Sequence, residues 1–196
     1  MRNQKNALLS AFNKAEVVPL AIALIQRGYV LYATEGTAKY LRQKHGLAVT
    51  NIATHIGKPL LKHRVVTLSR RLHARLRSTP EDLPELNSPE LSGMPHIDLV
   101  YVELTPLTYR EDMTASEKRR AWLSVDVGGR ALLSSAANGE RVVICSPFTL
   151  RLVMKRLPKK TENESHFKIW LAIEAEDEVA QYSRKVANFY RRFADE

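Results

Sequence analysis

The sequence predicts an α/β fold: a doubly wound, mostly parallel sheet with helices on both faces, followed by a C-terminal helical segment. Three observations carry this reading. Five short apolar runs read as strands, helical spacing fills the gaps between the first three, and residues His166 to Phe193 keep a helical period throughout. Strand and helix that alternate in this way pack as a parallel sheet, because each crossover needs a helix to return to the same end of the sheet.

In chain order, ALLS (7–10) is the first strand, and between Lys14 and Arg27 the residues Val17, Val18, Ala21, Leu24 and Ile25 share one helical face. YVLYA (29–33) is the second strand. Thr37 to His45 repeats the helical spacing with Ala38 and Leu41, after a cap at Thr34 or Thr37. LAVTNIA (47–53), HIDLVYVEL (96–104) and RVVICS (141–146) complete the strands. Ser78 to Pro95 holds four prolines and most of the local acid, so it reads as a surface excursion (78–95) rather than core. Thr114 to Trp122 and His166 to Phe193 are helices by period, with Lys159 to Ser165 as the polar connector before the second. One domain over residues 1–196 is the expected organisation, since domains usually hold roughly 100 to 200 residues.

At 44% hydrophobic and 26% charged, the composition excludes collagen-like, coiled-coil and wholly disordered classes. No apolar run approaches the roughly 18 residues of a membrane span, and MRNQKNALLS lacks the apolar segment of a secretory signal, so the expectation is a cytoplasmic protein with no membrane partner. The single cysteine, Cys145, rules out an intrachain disulfide and a cysteine-based zinc site, and its apolar run predicts a buried, inert thiol. The net charge of +9 is local. From Gly36 to Pro80 there is no acidic residue, while Lys39, Arg42, Lys44, Lys58, Lys62, Arg64, Arg70, Arg71, Arg75 and Arg77 supply +10. Such a window is either a solvated basic face or the field that holds an anion. Nucleic acid is the weaker partner, because Tyr40 is the window's one aromatic and no stacking rings alternate with the basic residues.

Ligands of open parallel sheets collect beyond the carboxyl ends of the strands, where loops enter helix N-termini. Two such turns stand out. Ser10 leads through Ala11-Phe12-Asn13 to Lys14, and Ala33-Thr34-Glu35-Gly36-Thr37 is a small, hydroxyl-bearing turn whose glycine lets backbone approach an oxyanion. Hydroxyls at helix starts are commonly caps, and the adjacent basic window is what turns this pair toward phosphate.

The run ALLSAFNKAEVVPLAIALIQRGYVLYATEGTAKYLR resembles the opening of the IMP cyclohydrolase domain of the bifunctional AICAR transformylase/IMP cyclohydrolase family, which has a methylglyoxal-synthase-like fold. The resemblance continues in order through Ile56-Gly57-Lys58-Pro59, His63-Arg64-Val65-Val66-Thr67-Leu68, Pro95-His96-Ile97-Asp98-Leu99-Val100, Val125-Asp126-Val127-Gly128-Gly129 with Leu132 to Ala137, and Leu171-Ala172-Ile173-Glu174-Ala175. Its transformylase half has no counterpart in these 196 residues. The Asp-x-Gly-Gly and Leu-Ala-Ile-Glu-Ala stretches favour this branch over methylglyoxal synthase itself. The resemblance implies a purine ribonucleotide ligand (FAICAR, AICAR or IMP-like), with Ser10, Lys14, Thr34, Gly36, Thr37, Arg64 and Thr67 on its 5′-phosphate. It also implies a homodimer built on the C-terminal helix, against the alternative that this helix only covers its own core.

At the catalytic positions the chain departs from the family. Val66 stands where the family has a catalytic lysine, Ser69-Arg70 where it has His-Pro, and Thr105 where it has a catalytic tyrosine. A further lysine is missing at Ala137-Asn138-Gly139, so Asp126 alone remains as the catalytic candidate, with Val66, Gly128, Gly129 and Glu103 beside the base or the oxyanion. Cyclisation of FAICAR to IMP joins a carboxamide nitrogen to a formyl carbon and expels water; it needs no cofactor and no metal. Orientation can contribute about 7 to 11 kcal/mol and acid–base groups about 10²- to 10⁴-fold, so a chain stripped of side chains could still close the ring slowly. The alternatives are a non-catalytic purine-nucleotide-binding protein, or an enzyme acting on a related phosphorylated ribonucleotide with Glu103, Asp126, Arg70 or Arg71 in new roles.

Overall fold

The computed structural model describes residues 4–157 and 164–194. Five strands form one sheet: β1 (Asn6–Ser10), β2 (Val30–Ala33), β3 (Val49–Asn51), β4 (Leu99–Val102) and β5 (Val142–Ile144), in the order β3-β2-β1-β4-β5. Every pairing is parallel, so the expected mostly parallel sheet is wholly parallel among the described residues. Leu8 pairs with Tyr32 on one side and Val100 on the other, and Ala7, Leu8 and Leu9 are fully buried, as a central parallel strand covered on both faces must be.

Alternate residues build two cores. Leu8, Val100, Val102 and Val143 face α4 (Arg70–Arg77), α7 (Val127–Asn138) and most of α9 (Glu164–Ala194), which contribute Leu72, Leu76, Leu132, Leu133, Ala136, Ala175, Tyr182 and Val186. Leu9, Leu31, Leu99, Tyr101 and Ile144 face α1 (Val18–Gln26), α2 (Glu35–His45) and α8 (Pro147–Arg156) through Leu20, Ala21, Leu24, Ala38, Leu41 and Val153. The chain winds outward from β1 through β2 to β3, passes through the short α3 (Ala53–Ile56) and then returns to β4 and β5, which puts the topological switch point between β1 and β4.

Local chemistry fixes the element ends. The helix expected from Lys14 starts at Val18, because Pro19 lacks an N–H and fits only in a first turn. Gly46, with φ of 63°, ends α2 in the left-handed conformation and returns its N–H to the Arg42 carbonyl. α6 (Ala115–Leu123) opens with a reciprocal Thr114/Glu117 capping box. Cys145 is buried, which pushes its thiol up to about 11.

The 78–95 segment departs from expectation. It holds a 3₁₀ turn (Pro80–Asp82) and α5 (Leu83–Leu86), and it buries Leu86, Leu91 and Met94, the last against the core. Its carbonyls are tied down by arginines: Arg75 donates to Leu86 (2.7 Å) and Leu91 (2.9 Å), Arg71 to Ser92 (2.7 Å), and Arg141 to Ser78. Part of the basic window is therefore structural. The connector at 159–165 lies largely outside the described residues, and the C-terminal helix runs from Glu164 with Leu171, Ala175, Tyr182, Val186 and Phe189 buried on its own domain's core. Among the described residues, no helix is long and apolar enough to cross a membrane.

Candidate functional site

At the carboxyl ends of β1, β2 and β4, beside the switch point, lies a cleft of about 790 Å³. Ser10, Lys14, Thr34, Gly36, Thr37, Arg64, Val66, Thr67, Glu103, Asp126, Gly128 and Gly129, the residues that the sequence assigns to phosphate, base and catalysis, line it together. The elements explain the convergence. Ser10 ends β1, Thr34 follows β2, Glu103 follows β4, and Asp126 to Gly129 open α7.

On one wall, Thr34 occupies the N-cap position of α2 without capping it, since its hydroxyl donates to Thr37 Oγ1 (3.2 Å). The first-turn amides of this 11-residue helix thus lack a side-chain acceptor, the arrangement that favours an anion. Thr37 itself, almost fully buried, welds the two turns together: its Oγ1 accepts the Ala11 N–H (3.1 Å) and donates to the Ala11 carbonyl (3.4 Å). That commits its hydroxyl within the protein. Lys14 Nζ donates to the Phe12 carbonyl at 3.3 Å, and its Cε would lie 3.4 Å from a Cβ on Gly36, so the glycine leaves room for the lysine stem over the turn.

The opposite wall is the start of α7. Asp126 is its N-cap: Oδ1 accepts the Gly129 N–H (2.7 Å) and Oδ2 the Thr105 N–H (3.1 Å), while its own N–H donates to the Tyr182 hydroxyl (3.0 Å). Both carboxylate oxygens are therefore engaged. The two glycines are sterically required, because a Cβ on Gly128 would sit 2.7 Å from Thr67 Oγ1 and one on Gly129 2.7 Å from Leu104 Cδ2 and 2.8 Å from Asp126 Oδ2. Glu103 Oε2 accepts the Asn13 N–H at 2.6 Å. Buried Thr67 is held from behind by His73, whose Nε2 donates to its carbonyl (3.1 Å) while Nδ1 meets Ser135 Oγ (2.7 Å). Burial pushes the His73 imidazole below its ordinary 6.5.

The third wall was incompletely anticipated. Lys62 and His63 join Arg64 at the cleft from a turn in which Leu61, Lys62 and His63 have φ of 50°, 54° and 67°. Left-handed backbone costs an L-residue about 1 to 2 kcal/mol and occurs as single residues rather than runs, so this turn is strained. Arg64 Nε donates to the Leu61 carbonyl (3.0 Å) within the same turn. Arg120, on α6, is a further lining residue with no signal in the sequence. The lining thus sets Lys14, Lys62, Arg64 and Arg120 against Glu103 and Asp126, a positive balance suited to a dianion.

One expectation needs correction. Arg70 and Arg71, offered for new roles in the site, do not line it: Arg70 pairs with Glu90 (3.2 Å) and Arg71 donates to the His55 (3.1 Å) and Ser92 carbonyls. Asn138 ends α7 about 18 Å along the helix from Asp126 and also lies outside the cleft, so a lysine there would not extend the Asp126 wall. Among the described residues no group of three or more His, Cys, Asp or Glu side chains is placed to hold a metal ion.

A wholly parallel sheet, helices on both faces and a cation-lined cleft at the switch point define a doubly wound α/β domain. The chain belongs to the MGS-like domain family, whose model matches residues 16–131. Among solved structures it is similar to one titled "Crystal structure of ForH", with 31% identity over 95% of this chain and 97% of that chain and a TM-score of 0.78.

Proposed function

We propose that the cleft binds a purine ribonucleotide 5′-monophosphate and closes its six-membered ring by dehydration, the FAICAR to IMP reaction of purine biosynthesis. The observation that carries this is the convergence of the residues expected at the phosphate and the base on one cleft whose lining is net positive, beside the side-chain-uncapped N-terminus of α2. In this reading Ser10, Lys14, Thr34, the Gly36 amide, Arg64 and Thr67 hold the phosphate, and Thr37 fixes the two turns from beneath. Arginine supplies a planar fork and lysine a point charge, and charge-assisted bonds of this kind contribute roughly 1.5 to 3 kcal/mol each. The base end lies against Val66, Glu103 and the Asp126–Gly129 turn.

Asp126 serves this reaction as a fixed negative group that orders the Thr105 and Gly129 amides, with ring closure driven mainly by orientation and backbone dipoles. The engagement of both its oxygens also favours a second reading, in which the cleft binds a purine nucleotide without turnover or serves a related phosphorylated ribonucleotide. Incubation with FAICAR, following IMP by absorbance, beside calorimetric titration with IMP and AICAR, separates the two: binding with turnover supports the first, binding without turnover the second, and neither dismisses both.

The same reading includes a homodimer. Phe148, Ile169 and Ile173 are large apolar side chains left 49%, 59% and 54% exposed on α8 and α9, and a second copy is the occupant proposed for them.

A further inference from the structure

We infer that Arg120 selects the base of the bound nucleotide, donating to an oxygen at the end of the cleft away from the phosphate and disfavouring an amino group there; the inference rests on the nucleotide reading above and does not depend on turnover. The helix that carries it has two faces. Lys118 and Trp122, one turn apart, meet the end of α9: the Trp122 ring stacks on Tyr190 with centroids 4.0 Å apart and meets Phe193 at 5.9 Å, and Lys118 Nζ lies 5.7 Å from the Phe193 centroid. Arg120, Leu123 and Ser124, at spacings of three and four, share the opposite face and all line the cleft. The aromatic contact thus sets the rotation of α6 and turns Arg120 inward.

The same face fixes where along the cleft Arg120 stands. Ser124 and Val125 lead directly into Asp126, which holds the Thr105 N–H at 3.1 Å, so Arg120 belongs to the wall formed by Thr105 and the start of α7, one helical turn or about 5.4 Å before Ser124. The phosphate wall is separate from it. Ser10 and Lys14 come from the end of β1, and Thr34 and Gly36 from the start of α2.

Among the described residues Arg120 donates no hydrogen bond. Its acidic neighbour on α6, Glu117, is engaged by the Thr114 N–H and hydroxyl (both 2.8 Å) and by Arg110 (3.4 Å). Both oxygens of Asp126 take backbone N–H groups, and Arg130 is turned out of the cleft onto the Asp126 carbonyl (3.1 Å) and Ser183 (3.2 Å). Arg120 is therefore the cation of this wall with its fork uncommitted. A guanidinium has five donors and no acceptor, so it pairs with an oxygen of the base and meets an amino group as donor against donor. Sites built on such a bond reject the analogue that leaves it unmade. The carboxamide oxygen of FAICAR and the ring oxygen of IMP are acceptors of the required kind, whereas AMP carries an amino group in that place.

Calorimetric titration of wild type and Arg120→Ala with IMP and with AMP tests this, because the two ligands share the ribose phosphate; alanine suits this exposed helical position. Wild type is expected to bind IMP about ten- to a hundredfold more tightly than AMP, and Arg120→Ala to lose that factor for IMP while AMP stays within about threefold of wild type. Retained AMP binding shows that the variant's cleft is intact. Equal affinity of wild type for IMP and AMP, an IMP preference that survives in Arg120→Ala, or a variant weakened alike for both ligands overturns the assignment of Arg120 and leaves the nucleotide cleft standing. A wild-type chain that binds neither overturns the nucleotide reading and this assignment with it.

Discussion

Gly129→Ala should destabilise the protein, although alanine in a helix is ordinarily favoured over glycine by about 0.5 to 1 kcal/mol. The added Cβ would stand 2.7 Å from Leu104 Cδ2, 2.8 Å from Asp126 Oδ2 and 2.9 Å from Asp126 Cγ, all well inside ordinary contact. Leu104 is buried, so it can move only at the expense of the core around it. Overpacking of this kind costs about 1 to 3 kcal/mol. Displacing the Asp126 carboxylate weakens its 2.7 Å bond to the Gly129 N–H, a cap worth about 0.5 to 2 kcal/mol. The losses exceed the helical gain, leaving a net destabilisation of about 1 to 4 kcal/mol. Urea unfolding followed by circular dichroism reads this as a lower midpoint with an unchanged slope. Equal or greater stability in Gly129→Ala would refute the close packing of Asp126, Leu104 and α7.

Lys14→Ala and Arg64→Ala are each expected to weaken IMP binding by about 1.5 to 3 kcal/mol with little effect on inosine, measured by calorimetry; equal losses for nucleotide and nucleoside would remove the phosphate as the cause. Stability should fall on acidification from about pH 7.5 to 5.5. Burial lowers the folded-state values of His73 and His96, for His96 with Arg141 adding to the effect, so the unfolded chain takes up protons first as pH drops through the ordinary 6.5. His73→Gln should flatten part of that slope, and stability that stays constant or rises over the same range would contradict it. Light scattering at micromolar concentration should give twice the 22.3 kDa chain mass, and the chain mass itself would dismiss the homodimer.

All five strands were legible in the sequence because each is a short apolar run bounded by polar residues, and the fully buried central strand needs no alternation to be recognised. α1, α2, α6 and α9 were legible through period, and α2 also through the hydroxyl at its N-cap position, Thr34. α7 was not read as a helix, since Gly128-Gly129 disguise it as a loop; the N-cap at Asp126 and the spacing of Leu132, Leu133, Ala136 and Ala137 were the available signal. α8 has a comparable one in Ser146-Pro147 with Thr149. The burial of Leu86, Leu91 and Met94 was hidden by the prolines around them, and the anchors that draw this segment inward are arginines whose charge suggested a ligand. Membership of the cleft was legible for residues on conserved-spacing turns of the resemblance, whereas Lys62, His63 and Arg120 reach it through backbone dihedrals and helix placement that no local pattern encodes.

The central claim, that this cleft closes a purine ring on a phosphate-anchored nucleotide, is tested most directly by the initial rate of IMP formation from FAICAR in wild type and in Arg64→Ala. The account predicts a wild-type rate above the buffer reaction, and in Arg64→Ala a fall in kcat/KM of about ten- to a hundredfold, the loss of one charge-assisted phosphate contact. A wild-type rate indistinguishable from buffer, at FAICAR concentrations shown by calorimetry to saturate the cleft, would contradict it.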